Sequence, residues 1–148
     1  MIAMLPFLVL LVGPQTPPAN PACTVLTAAD ATTLIGAGAK TMSVTTAPSG
    51  ATCLIQNGDK VISILHATAS TVDAATGLWN AKKAIMKGEE LSGWPTKAYA
   101  GSLKDASVVG LTKGKTFVEV RVTDPSPKKS DLGAKLQSVM KTVSAQMP

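Results

Sequence analysis

Cys23-Thr-Val-Leu-Thr-Ala-Ala-Asp30, read with Ala51-Thr-Cys53-Leu-Ile-Gln56, decides the fold of this chain. The first stretch is a helix-start phrase, with Thr27 as N-cap and Asp30 three positions on, where its carboxylate can reach back to form a capping box. The second alternates like a strand. One cysteine before a first helix and one in an early strand suggest a Cys23–Cys53 disulfide pinning helix to sheet. In the chain-entropy picture a loop of that length is worth about 3.5 kcal/mol, a large share of a small domain's stability.

Upstream, Met1 to Val12 is an apolar run too short to span a bilayer but suited to the core of a signal peptide. Gly13 and the proline-rich Pro14–Ala22 segment then break the helix, and Ala19 and Ala22 are candidate cleavage positions. No Lys or Arg precedes the apolar run, which leaves open an upstream start or a weaker signal. Cleavage after Ala22 would make Cys23 the first residue and open the way to a lipid anchor there. That alternative is disfavoured, because Asn20 stands where lipoprotein signals carry an aliphatic residue and because Cys53 would be left unpaired. The expected organisation is a leader over 1–22 and one domain over 23–148, in a secreted or periplasmic protein with no membrane span.

About 125 residues beyond the leader suffice for one modest core. The composition is 45% hydrophobic but only 3% aromatic, so aliphatic side chains must build that core, and aromatic stacking on bases or sugars is a poor basis for function. The net charge of +5 comes from 14 Lys/Arg against 9 Asp/Glu, all beyond Cys23. All the basic residues but Arg121 are lysines, scattered singly or in pairs such as Lys82-Lys83. Such scatter solvates a surface and predicts no nucleic-acid partner, although a basic binder of anionic lipid or polymer is kept as an alternative.

In chain order, the first helix runs through Ala31–Ile35 and stops at Gly36-Ala-Gly38. From Lys40 the period becomes two. Strands over 40–47, around Cys53 and Ile55, and over Val61–Leu65 form a meander, with Pro48-Ser-Gly50 and Asn57-Gly58 as its turns. Thr71 caps a long amphipathic helix that buries Trp79 and ends at Gly88. Two strands follow, over 104–111 and 115–123; in the second, Val118, Val120 and Val122 face the core, and Glu119 and Arg121 are expected as a surface pair. A last helix carries Leu132, Leu136, Val139, Met140, Val143 and Met147 as its buried stripe.

Catalytic motifs that place a nucleophile, metal or phosphate are missing, so no cofactor, no metal and no enzymatic activity are expected. His66 is the only histidine and lacks neighbouring ligands or carboxylates in sequence; a small enzyme built on it is the alternative reading. The candidate ligand-binding residues are Trp94 and Tyr99, because Gly93–Gly101 is the most irregular stretch that still holds large side chains. The favoured partner is an unspecified protein or small ligand at the cell envelope.

Cys23-Thr-Val-Leu-Thr-Ala-Ala-Asp30, then Leu34-Ile-Gly36, a strand with Cys53, a helix, and a segment ending Lys97-Ala-Tyr-Ala100 resemble a broad set of small secreted or lipid-anchored bacterial domains of unknown function. Their common phrase is Cys-x-Leu-Leu-Thr-x-Ala-Glu, then Gly, then Cys. Trp94-Pro95-Thr96 departs from that group's Leu-Gly-Asp. The resemblance covers nearly all of the chain beyond Cys23 and implies a Mog1/PsbP-like fold. The expectation is therefore an α+β domain: a two-layer, curved antiparallel sheet of five to six strands packed with three helices, serving as a non-catalytic binding or accessory module.

Overall fold

The structure is a computed structural model that describes residues 19–126 and 131–148. The apolar leader over 1–18 and the Pro127–Ser130 part of the connector lie outside the described residues.

Helix α1 (Ala28–Ile35) begins as the capping box dictates: the Asp30 amide donates to Thr27 Oγ1 at 3.1 Å, and the Thr27 amide donates to Asp30 Oδ2 at 2.9 Å. It buries Ala31, Leu34 and Ile35 and ends at Gly36, whose φ of 89° favours a residue without a Cβ. Strands β1 (Lys40–Ala47), β2 (Gly50–Asn57) and β3 (Lys60–Thr68) form the meander. The β2–β3 turn is Gly58-Asp59, one residue later than the Asn57-Gly58 expectation. Asn57 instead uses its side-chain amide on the far end of α1, donating to Ile35 O at 2.8 Å and Ala37 O at 3.0 Å. Two carbonyls at the helix terminus are thereby satisfied.

Helix α2 (Val72–Ile85) is capped by Thr71, which accepts from the Ala74 amide at 3.1 Å. After it come β4 (Glu89–Leu91), β5 (Lys97–Leu103), β6 (Ala106–Lys113), β7 (Thr116–Thr123) and helix α3 (Leu132–Gln146). All pairings are antiparallel, in the order β1-β2-β3-β7-β6-β5-β4. The fold is α+β with seven strands among the described residues, where five to six were expected. The additions come from 89–103: β4 is too short for its alternation to register, and the segment that looked irregular supplies β5.

Helices α1 and α3 pack on one face, over Cys53, Ile62, Ile64, Val118, Val120 and Val122. Helix α2 packs on the other, with Trp79 against Tyr99, Val108 and Phe117. Both faces are covered, which replaces the two-layer packing expected from sequence. The reason lies in β6 and β7, where Val108 and Phe117 point away from α3 and need a cover of their own. Glu119 is corrected by the same fact. It sits under α2 at 7% exposure, not on a wet face, and its partners are Tyr99 and Lys82 instead of Arg121.

The packed region also reaches upstream of Cys23. Ala22 is fully buried, and the Asn20 side chain donates to Thr45 O at 3.2 Å and Thr46 Oγ1 at 3.0 Å while accepting from the Ala22 amide at 2.9 Å.

Candidate functional site

Cys23 and Cys53 form a disulfide with their Cα atoms 5.2 Å apart. Cys53 faces the α1 side of β2 and is fully buried, so the bond ties the segment before α1 to the sheet. With its sulfur so engaged, Cys23 has no thiol free to take a lipid.

The structure separates Trp94 from Tyr99. Trp94 is half-buried in the β4–β5 loop and packs against the core on the α1/α3 side. Tyr99 lies within β5 on the opposite face, fully buried. Its ring meets Trp79 edge-on, centroids 5.7 Å apart at 65°, and its hydroxyl donates to Glu119 Oε2. Burial, then the bonded and charged Glu119 carboxylate, raises the Tyr99 hydroxyl well above its ordinary pKa, so it stays protonated. Lys82 approaches Glu119 Oε1 at 3.9 Å, and Lys83 lies 4.5 Å from the Trp79 ring centroid. This constellation is a packed polar bridge under α2, closed to a ligand.

His66 is half-buried on β3 and lines a cleft of about 250 Å³ with the hydroxyl-bearing Thr24 and Thr116. Among the described residues no Asp or Glu side chain lines that cleft to orient the imidazole as a general base. Burial lowers its pKa and favours the neutral form.

A second cleft, of about 490 Å³, was not anticipated. Three distant segments build it. The turn after α2 contributes Lys87 and the adjoining β4 contributes Glu89; the β5–β6 hairpin contributes Ser102 and Ser107, directly opposite each other in register; α3 contributes Gln137. Gly101 allows the approach of α2 to β5, since a Cβ there would stand 2.8 Å from Met86 O. Among the described residues, none of these five polar side chains has a hydrogen-bonding or ionic partner. Lys87 adopts a left-handed φ of 49° at the rim, a position where glycine is the usual choice. Dispersed contributions of this kind leave no local motif to find in sequence.

Chemically the cleft can hold but is poorly equipped to react. A serine hydroxyl becomes a nucleophile through an adjacent base, and neither Lys87 nor Glu89 is within hydrogen-bonding distance of Ser102 or Ser107. Among the described residues no group of three His, Cys, Asp or Glu side chains gathers to hold a metal, and no helix is long and apolar enough to cross a membrane. Lysines are distributed over α2, α3 and the turns at both ends of the sheet, with Lys60, Lys82 and Lys83 each close to a carboxylate. No protein-family model, curated protein or solved structure matches the chain.

Proposed function

We propose that this chain is an exported, non-catalytic binding module of the cell envelope, secreted or periplasmic, that holds a small polar ligand in the cleft between α2, the β5–β6 hairpin and α3. The observation that carries this reading is the convergence there of Lys87, Glu89, Ser102, Ser107 and Gln137 without partners of their own. Ser107 and Gln137 are half-buried and Lys87, Glu89 and Ser102 stand exposed at the mouth, so a ligand seated in the cleft would exchange water for all five groups. A cation and an anion two residues apart suit a ligand that carries both signs, such as an amino-acid-like zwitterion.

Export is supported by the disulfide, which persists in oxidising compartments, and by the apolar leader that precedes it. Processing after Ala19 fits better than processing after Ala22, because the latter would remove the Asn20 clamp and a fully buried side chain. The dispersion of the lysines disfavours a surface specialised for anionic lipid or polymer.

The test is a titration of the isotope-labelled mature protein with L-serine as zwitterionic probe and with acetate and methylammonium as singly charged controls. Saturable shifts at Lys87, Glu89, Ser102, Ser107 and Gln137 for the zwitterion are expected. Their absence overturns the cleft assignment. Hydrolysis of model esters or amides that disappears in His66→Asn would replace the binding module with an enzyme. Intact mass, reduced and non-reduced, reads cleavage site and disulfide together.

A further inference from the structure

At the opposite end of the sheet from the Lys87 cleft, the smaller His66 cleft has a different chemistry. Its floor is His66 on β3 and Val118, its direct neighbour on β7. One wall is the last turn of α3, with Val143 and Met147. The other is the irregular Pro21–Val25 segment.

Two anchors hold that segment in place. The Cys23–Cys53 bond ties it to β2, and the Asn20 side chain ties it to the backbone and hydroxyl of Thr45 and Thr46 on β1. With them in place, Val25 joins Val118, Val143 and Met147 as the apolar part of the cleft lining, beside the polar Thr24, Thr116 and Gln146.

Among the described residues no Lys, Arg, Asp or Glu side chain lines this space. The nearby Lys113 ammonium is engaged by Met147 O at 2.6 Å. An anionic ligand would be desolvated there without a cation in the lining to compensate it. An apolar body would gain by leaving water, and a polar head would find the imidazole, the half-buried one among the polar side chains His66, Thr24 and Gln146 with Thr116 beside it on β7. At about 250 Å³ the cleft is smaller than sites for drug-sized molecules, which restricts the occupant to a small one.

We infer that the His66 cleft binds a small neutral molecule with an apolar body and one hydrogen-bonding head, the body between Val25, Val143 and Met147 and the head on the His66 imidazole. The Cys23–Cys53 bond is part of this site, because it fixes the wall that carries Val25. The site is independent of the Lys87 cleft, and either can fail without the other.

Phenol serves as the neutral probe and benzoate as its anionic counterpart. With the full disulfide-bonded protein, phenol should shift the His66 imidazole resonances saturably and give contacts from its ring protons to the Val25 and Val143 methyls. Benzoate should bind at least roughly tenfold more weakly. Val143→Phe, which fills the cleft, should weaken phenol by a similar factor; the contacts on the unmodified protein decide the matter if that variant does not fold. Equal or tighter binding of benzoate, phenol contacts confined to Ser107 and Gln137, or no saturable shift at His66 would each overturn the proposal.

Discussion

Tyr99 reaches across Gly110 to place its hydroxyl on the carboxylate of Glu119, two strands away. The three residues stand in one cross-strand row, Tyr99 opposite Gly110 on β6 and Gly110 opposite Glu119 on β7. The ring occupies the space a side chain at 110 would need: a Cβ there would lie 2.2 Å from Tyr99 Cε1. Gly88 leaves room on the other flank, where a Cβ would lie 2.6 Å from the same ring. A buried carboxylate is thus reached by a hydroxyl through a slot of two glycines.

Gly110→Ala is expected to be among the most damaging single substitutions in the protein. The overlap falls on a fully buried ring whose neighbours, Trp79 and Phe117, are equally fixed. Overpacking of this kind costs about 1–3 kcal/mol and more where nothing can yield. Tyr99→Phe keeps the ring but removes the donor to Glu119, and should cost about 1–3 kcal/mol. Urea denaturation of the two variants checks both, and a stable Gly110→Ala protein would show that the ring can move.

The same row predicts the alkaline behaviour. Tyr99 is the only tyrosine, so tyrosinate absorbance reports it alone. Burial first, and the Glu119 bond and charge next, raise its folded pKa above the ordinary value of about 10. The unfolded chain therefore releases the phenolic proton more readily than the native one. This contribution to stability is fully present below about pH 10 and is lost as pH rises beyond it. Absorbance should stay flat through pH 10 and rise only together with loss of far-ultraviolet dichroism. A reversible rise in the folded protein near pH 10 would contradict the burial.

Lys87 offers a prediction of opposite sign. It holds the left-handed position that closes α2, with the Gly88 amide donating back to Lys83 O at 2.8 Å. A side chain there carries a cost that glycine avoids. Lys87→Gly should raise stability by about 0.5–1 kcal/mol, read as a higher denaturation midpoint. The same substitution should weaken L-serine binding in the large cleft, which makes it a position where stability and binding pull apart.

What the sequence made legible follows the range of the interactions. The Thr27–Asp30 box, the Thr71 cap, the Cys23–Cys53 pairing and the α3 stripe are short-range or bear a residue type with a single structural use, and each is found where it was expected. Glu119 was misjudged because alternation assigns a carboxylate to water; the hydroxyl that permits its burial is twenty positions upstream. Tyr99 falls in Gly93–Gly101, a stretch without readable periodicity, yet it lies inside β5, and the glycine that ends the stretch serves the approach of Met86. The large cleft is drawn from the turn after α2, β4, β5, β6 and α3, and no local window contains it.

Acid should destabilise the protein in two separable steps. His66 has its pKa lowered by burial, so the unfolded chain takes up a proton at higher pH than the folded one. Stability therefore declines as pH falls below the unfolded value of about 6.5, until the folded imidazole also protonates. Asp124 acts lower on the scale. The Ser126 amide donates to its Oδ1 at 2.9 Å, and Lys60 stands 3.1 Å from Oδ2; the backbone bond first, then the Ser126 side chain and the lysine, hold its carboxyl below the usual range against the opposing effect of burial. Its contribution is present above the unfolded value of about 3.9 and is lost as pH falls through the folded one. Denaturation midpoints followed from pH 8 to pH 2 should show both declines, with His66→Asn flattening the first and Asp124→Asn the second. Because both groups lose stability in the same direction, neither variant should reverse the other's step, and a profile in which His66→Asn alters only the low-pH decline would place the imidazole in water instead of in its cleft.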